Sequence, residues 1–192
     1  RPLHCAFGSI SWARMLQALE IKMGKSQTEE DFLKFWKHIS LETEDETVIV
    51  LKGHLLLEDL MREFCASKMV HEDALNDANL SFKQALQLAK ALHLRHPEKW
   101  VWAGIEKVNN LRNKLAHNLE PKDYEKKRQE LIQLVKGEVF DDSIYQSFNE
   151  IHQQLAVTIF ILYSTLSANL RFRPKGLLTA ALEASELGKD SN

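Results

Sequence analysis

The 192-residue chain has few of the residues that stabilise small or irregular folds: 2 cysteines, 4 prolines and 7 glycines. Cys5 and Cys65 lack CxxC spacing, and two thiols do not make a disulfide framework, which favours a reducing compartment. The 25 lysines and arginines nearly balance the 27 aspartates and glutamates, for a net charge of -2. The whole chain therefore has no field that holds nucleic acid non-specifically, and any such contact must be local.

Targeting and membrane-spanning signals are also missing. The longest apolar stretch, Leu155 to Leu170, is interrupted by Ser, Thr, Tyr and Asn and is shorter than the ~20 residues that span a bilayer. The chain begins with Arg1 and shows no basic-then-apolar signal peptide. These features favour a truncated start, a cytoplasmic location and no membrane partner.

Signatures of nucleotide, serine-hydrolase and metal sites are absent as well. The sequence contains no GxxxxGK[ST], GxGxxG, GxSxG or HExxH pattern. His71, His93 and His96 do not have the spacing of a set of three or four metal ligands, so we expect exposed histidines in loops. The sequence predicts neither a metal nor a cofactor.

The residues that are abundant indicate helices. The chain is 44% hydrophobic and 27% charged, which is typical of a helical globular domain, and apolar residues recur at helical spacing along it. No run predicts a strand, and no internal repeat is present. The predicted helices are Gly8–Met23, Ser26 or Thr28 to Ile39, Val48–Met69, Ser81–Leu94, Pro97–Leu119, Asp123–Lys136, Asp142–Arg171 and Leu177–Leu187.

We therefore predict a single all-α domain over residues 1–192. Within it, residues 1–41 form an N-terminal helical extension packed on a core of residues 42–172, and residues 173–192 form a mobile tail. Trp100 and Trp102 lie on different faces of one predicted helix. We expect at most one of them in the core, with the other packing elsewhere, stacking on a base or lining a dimer contact.

The candidate site is the run from Arg112 to His117, near the end of the predicted helix that precedes Pro121. A cation, the amide of Asn113 and a titratable imidazole lie there within about two helical turns. Asn113 and His117 share a face, but Arg112 and His117 are about 140° apart. The two converge only if the helix frays near His117 or if two copies of the chain meet.

These groups suit RNA cleavage, which requires removal of the 2′-hydroxyl proton, protonation of the leaving oxygen and stabilisation of charge on the phosphate. An imidazole such as that of His117 transfers protons, and Arg112 can bind phosphate oxygens with two parallel hydrogen bonds. Asn113 is suited to orient the phosphate or the imidazole. The alternative is a structural role, since Arg, Asn and His near a helix C-terminus also cap carbonyls and interact with the helix dipole.

The run Arg112-Asn113-Lys114-Leu115-Ala116-His117 resembles the motif of the HEPN superfamily, in which Arg and a polar residue precede a His. The Leu-rich segment Gly53 to Leu60 is similar to an early core helix of HEPN-type and mannitol-repressor-like proteins. The resemblance covers Glu46 to Leu170. It implies an antiparallel helical bundle, here with additional N-terminal helices. It also implies a homodimer whose two motifs share a cleft and cut RNA without a metal.

The resemblance implies a toxin or defence endoribonuclease in which Arg112, His117 and Asn113 are catalytic. It also implies an antitoxin or regulatory partner. Auxiliary candidates are Lys114 and the pair His54 and Glu58, whose i, i+4 spacing can place them in one pocket. Glu58 would tune His117 or pair with Arg112, or form an ordinary half-buried salt bridge. The alternative functions are a non-catalytic, mannitol-repressor-like regulator or a scaffold subunit of a larger complex.

Overall fold

The computed structural model describes residues 25–71, 75, 77–93, 99–118, 121–139, 143–146 and 148–171, and this part of the chain is all-α, with no strand. The all-α prediction is confirmed. The predicted helices Gly8–Met23 and Leu177–Leu187, and the predicted tail, lie outside the described residues. The helices are α1 (Lys25–His38), α2 (Glu46–Ala66), α3 (Phe82–Leu92), α4 (Lys99–His117), α5 (Tyr124–Lys136), α6 (Ser143–Gln146) and α7 (Ile151–Arg171).

Helix α7 forms the centre of the core and packs against α1, α2, α4 and α5. Ten consecutive residues of it, 155–164, are buried, so α7 is covered on all sides over this stretch. Two glycines allow the neighbouring helices to approach it closely. A Cβ atom at Gly53 of α2 would lie 2.6 Å from Ile159 Cγ2, and one at Gly104 of α4 would lie 2.5 Å from Leu162 Cδ2. Both distances are shorter than van der Waals contact.

Helix α1 packs against α7 through aromatic side chains. Phe35 is fully buried, and its ring centroid lies 5.1 Å from that of Phe160 and 5.6 Å from that of Tyr163. Phe32 meets Phe160 edge-on at 5.8 Å, a favoured geometry for aromatic pairs. This part of the predicted N-terminal extension therefore contributes directly to the central core.

Helix α4 is buried more completely than its sequence indicates. Trp100 is 7% exposed and Trp102 is 8% exposed, so the expectation that at most one of them lies in the core is wrong. The reason is that α4 contacts α2, α5 and α7, while Lys90 of α3 lies over the Trp102 ring, 5.7 Å from its centroid. Neither indole is free to stack on a base or to line a dimer contact.

The predicted helix Asp142–Arg171 is interrupted. Helix α6 ends at Gln146 and α7 begins at Ile151, and the buried side chain of Phe148 lies between them. The side-chain amide of Gln154 donates a hydrogen bond of 2.9 Å to the carbonyl of Phe148. The break thus places the Phe148 ring in the core, and a side chain from the first turn of α7 satisfies the backbone carbonyl of Phe148.

Candidate functional site

The Arg112 to His117 run occupies the last two turns of α4, which remains helical through His117. The backbone N–H of Asn118 donates to the carbonyl of Lys114 at 3.1 Å, so the final turn keeps its helical hydrogen bonding. Fraying before His117 is therefore not observed. Arg112 and His117 stay about 140° apart around the helix axis, as regular helical geometry requires.

The polar residues of this helix end divide between two faces. Asn109 and Arg112 face α2, where Asn109 contacts His54 and Arg112 is close enough to influence the His54 charge. Asn113 and His117 line a groove on the other side, together with Asn110, Lys114, Asn118 and Lys127. Arg112 does not line this groove.

Asn113 connects the two faces. Its Oδ1 atom accepts a hydrogen bond of 3.2 Å from a guanidinium N–H of Arg112, while the Asn113 side chain also lines the groove beside His117. No hydrogen-bond acceptor is described for the Asn113 NH2 group within the part of the chain that the structure describes, so this group is available as a donor. The structure thus brings Asn113 to both of the other predicted catalytic residues, and it does not bring Arg112 and His117 together.

The groove lies where α4 meets α5 and has a volume of about 420 Å³. The side chain of His117 is exposed, and those of Asn113, Lys114 and Lys127 are half-buried. The Lys114 ammonium donates to the carbonyl of Lys122 at 3.3 Å, which holds it beside the connection between the two helices. The groove is therefore open, polar and accessible from solvent.

The auxiliary residue His54 lies in a buried cluster between α2, α3 and α4. It is 4% exposed, its Nε2 atom lies 3.1 Å from Asn109 Oδ1, and its ring stacks on Phe82 with centroids 4.2 Å apart. On the other side, His54 Nδ1 is 3.7 Å from Glu58 Oε2. Burial lowers the pKa of His54, and the hydrogen bond with Asn109 and the charge of Glu58 oppose this shift. The positive charge of Arg112 lowers the pKa further.

Glu58 does not reach His117. Its carboxylate accepts two hydrogen bonds from Arg62, at 2.6 Å from Nη2 and 3.1 Å from Nε, and Arg62 also donates to the carbonyl of Leu80. Glu58 is therefore the half-buried salt-bridge partner of Arg62, and Arg62 links α2 to the segment before α3. Arg62 was not among the predicted site residues, although its i, i+4 spacing from Glu58 is a signal for this pair.

The basic segment from Lys122 to Arg128 after the motif does not act as one patch. Lys127 lines the groove, whereas Arg128 points away and pairs with Glu46 at 2.6 Å, both side chains being 17% exposed. Tyr124 packs beside this pair, and burial, followed by the Glu46 charge, raises its pKa. One lysine of α5, Lys127, therefore lines the groove, and Arg128 pairs with Glu46, the first residue of α2.

The predicted loop histidines differ from one another. His93 is half-buried, and its Nε2 atom lies 2.8 Å from the backbone oxygen of Asn169, so it ties the end of α3 to α7 and is not an exposed loop residue as expected. His71 is exposed, and His96 lies outside the described residues. No group of three or more His, Cys, Asp or Glu is arranged for metal binding among the residues that the structure describes.

In the described ranges, no helix has both the length and the apolar character needed to cross a membrane. Comparison of the chain with protein-family models, with curated proteins and with solved structures gives no significant match.

Proposed function

We propose that the protein is a HEPN-like, metal-independent endoribonuclease whose catalytic groups are Arg112, Asn113 and His117. The observation that carries this proposal is the groove at the end of α4, where an exposed imidazole and an amide donor lie beside two lysines. An accessible imidazole can transfer a proton to or from the sugar oxygens. The amide and ammonium groups can stabilise the negative charge that develops on the phosphate.

The proposal includes a homodimer with a cleft built from both copies. Within one protomer, Arg112 and His117 are about 140° apart on a continuous helix, and only His117 lines the groove. A second copy docked on this face supplies the missing group. Leu51 and Leu55 of α2 support such docking, because they are 37% and 56% exposed, share a helix face at i, i+4 spacing and present apolar surface to a partner.

The chemical step consists of attack by the 2′-oxygen on the adjacent phosphorus, which forms a 2′,3′-cyclic phosphate and expels the 5′-oxygen. The His117 imidazole of one copy accepts the 2′-hydroxyl proton, and that of the other copy donates a proton to the leaving oxygen. Arg112 and the Asn113 amide stabilise the charged phosphate during the transfer. Atoms and charge balance without any further reactant.

The first test is cleavage of a single-stranded RNA by the purified protein and by the variants His117→Ala and Arg112→Ala. Loss of a proton-transfer group typically lowers the rate by roughly 100-fold or more. His38→Ala is the matched control, because His38 is also exposed and also ends a helix. Products ending in 2′,3′-cyclic phosphate are expected by mass spectrometry. Equal cleavage by wild type and all three variants would show a contaminating nuclease and overturn the proposal.

A second test mixes wild type with the His117→Ala variant. If one cleft needs the His117 imidazoles of both copies, a mixed dimer is inactive. Refolding an equimolar mixture should then leave about a quarter of the activity of the same amount of wild type if the chains associate at random, against about half if each copy acts alone. Half activity in a mixture shown by native mass spectrometry to contain mixed dimers would refute the shared cleft.

The toxin or defence setting is part of the same proposal. Expression of the wild-type chain in a host cell should slow growth, and His117→Ala should relieve this effect while His38→Ala does not. If the protein is instead a non-catalytic regulator, it will bind a nucleic acid in a salt-dependent way that His117→Ala leaves unchanged. That result together with absent cleavage would replace the enzymatic proposal.

A further inference from the structure

The groove between α4 and α5 has a lining suited to an anion. Every side chain that the structure places in it is polar, two are ammonium groups and none of the described lining residues is acidic. Its volume of about 420 Å³ falls in the range of small-molecule sites. The lining residues are Asn110, Asn113, Lys114, His117, Asn118 and Lys127.

The two lysines approach the groove from different helices. Lys114 belongs to α4 and is held by the carbonyl of Lys122, whereas Lys127 lies one turn into α5. Among the described residues Lys127 forms no ion pair, and the nearby acid Glu130 is already paired with Lys107 at 3.0 Å. The Lys127 charge is therefore available to a ligand, and two ammonium groups on opposite walls suit a phosphate.

The asparagines add a different capability. Asn113 presents its NH2 group, because Arg112 occupies its oxygen, whereas Asn110 and Asn118 are exposed and offer both an amide donor and an amide acceptor. The hydrogen-bonding edge of a nucleobase carries donors and acceptors side by side. Lysines beside two such amides match a phosphate linked to a base better than they match a bare inorganic anion.

We infer that this groove is a one-nucleotide subsite, in which Lys114 and Lys127 bind the backbone phosphate and Asn110 and Asn118 bind the edge of the attached base. The inference rests on the proposed function for the identity of the polymer as RNA. It assigns Lys127 a binding role that the motif does not include. It also makes Asn110 and Asn118 determinants of base preference beside the cleavage point.

The test uses 2′-O-methyl RNA of 12 nucleotides, which binds but cannot be cleaved because the attacking hydroxyl is blocked. Fluorescence anisotropy measures its affinity for wild type, Lys127→Gln and the control Lys126→Gln, in which a neighbouring exposed lysine outside the groove is changed. We expect Lys127→Gln to weaken binding about fivefold, as for an exposed ion pair. It should also reduce the slope of log Kd against log salt by about 0.7, the value for one single-strand phosphate contact.

Base preference is measured with homopolymers of the four bases as 2′-O-methyl RNA. Asn110→Ala and Asn118→Ala should reduce the differences in affinity among the four, while Asn149→Ala, an exposed asparagine elsewhere, should leave them unchanged. Circular dichroism confirms that each variant is folded. An equal loss for every base in the Asn110 and Asn118 variants would overturn the assignment of base contacts.

The outcomes separate this inference from the proposed function. Equal weakening by Lys127→Gln and Lys126→Gln, in a protein that cleaves RNA, refutes the subsite and leaves the endoribonuclease standing. A selective effect of Lys127→Gln in a protein that cleaves nothing supports the subsite and overturns the catalytic proposal. Failure of the wild type to bind any of the probes refutes the subsite outright.

Discussion

Replacement of Gly53 by Ala should destabilise the protein, although Ala is the better helix former. The added methyl would lie 2.6 Å from Ile159 Cγ2, whereas carbon atoms in contact are about 3.5–4.0 Å apart. Ile159 is fully buried, and its branched Cβ restricts the rotation that would relieve the overlap. An overpacking cost of about 1–3 kcal/mol therefore opposes a helix-propensity gain of about 1 kcal/mol. We expect a net loss of about 1 kcal/mol in the free energy of unfolding.

The same substitution should become stabilising when Ile159 is also changed to Ala. Ile159→Ala removes the clashing methyl and opens a cavity, at a cost of about 2–5 kcal/mol, and the new methyl at position 53 then fills part of that space. In this background Gly53→Ala should increase the free energy of unfolding by about 1 kcal/mol, its propensity contribution. The expected coupling between the two positions is therefore about 2 kcal/mol.

Urea denaturation followed by circular dichroism at 222 nm gives the four free energies of this cycle. Gly104→Ala provides a comparison, because its methyl would meet Leu162 Cδ2 at 2.5 Å, at the end of a side chain that can rotate. Its cost should be smaller than that of Gly53→Ala. If Gly53→Ala stabilises the protein in both backgrounds by the same amount, the close approach of α2 and α7 at this point is wrong.

Three further perturbations test the buried polar groups. Burial lowers the pKa of His54, so below about pH 6.5 the unfolded chain binds a proton that the folded chain does not, and stability falls as the pH decreases. His54→Gln should therefore flatten the decline in Tm between pH 7 and 5. An unchanged dependence of Tm on pH would contradict this. Glu46→Gln should lower the free energy of unfolding by roughly 1–3 kcal/mol, because it leaves the half-buried Arg128 charge unpaired; a change below 0.5 kcal/mol in urea titrations, about the limit for an ordinary surface substitution, would show that the pair is solvated. Burial raises the pKa of Cys65 to about 11, so in a Cys5→Ser background a thiol reagent should label it only after unfolding, and rapid native labelling would refute its burial.

The sequence allowed prediction of the main helices because their apolar spacing and end signals agree. Ser81 illustrates this, since the predicted start of a helix there is a capping box with Gln84. The break before α7 could not be predicted, because the apolar pattern continues across it and no Pro or Gly marks it. Burial of both Trp100 and Trp102 could not be predicted either, because it depends on how many helices surround α4 and not on the sequence of α4 itself.

The sequence named some of the residues that line the groove, Asn113, Lys114 and His117, as candidates, but not Asn110 or Asn118. Helical spacing correctly separates Arg112 from His117 and pairs Asn113 with His117, because these relations follow from the geometry of one helix. The contact between His54 and Asn109 joins positions 55 residues apart, and periodicity carries no information about such a pair. Lys127 likewise joins the groove only because α5 folds back beside the end of α4.

The polar residues on the two faces of α4 lie in different environments. Asn109 contacts a buried histidine, and an unsatisfied polar group there would cost free energy, so its presence has a sufficient structural explanation. The groove residues are exposed or half-buried and would be satisfied by water whether or not they bind anything. Stability therefore neither requires nor excludes the polar residues of this second face, and its proposed ligand binding is decided by the RNA-binding measurements alone. Asn113, held by Arg112 yet turned to the groove, links the two.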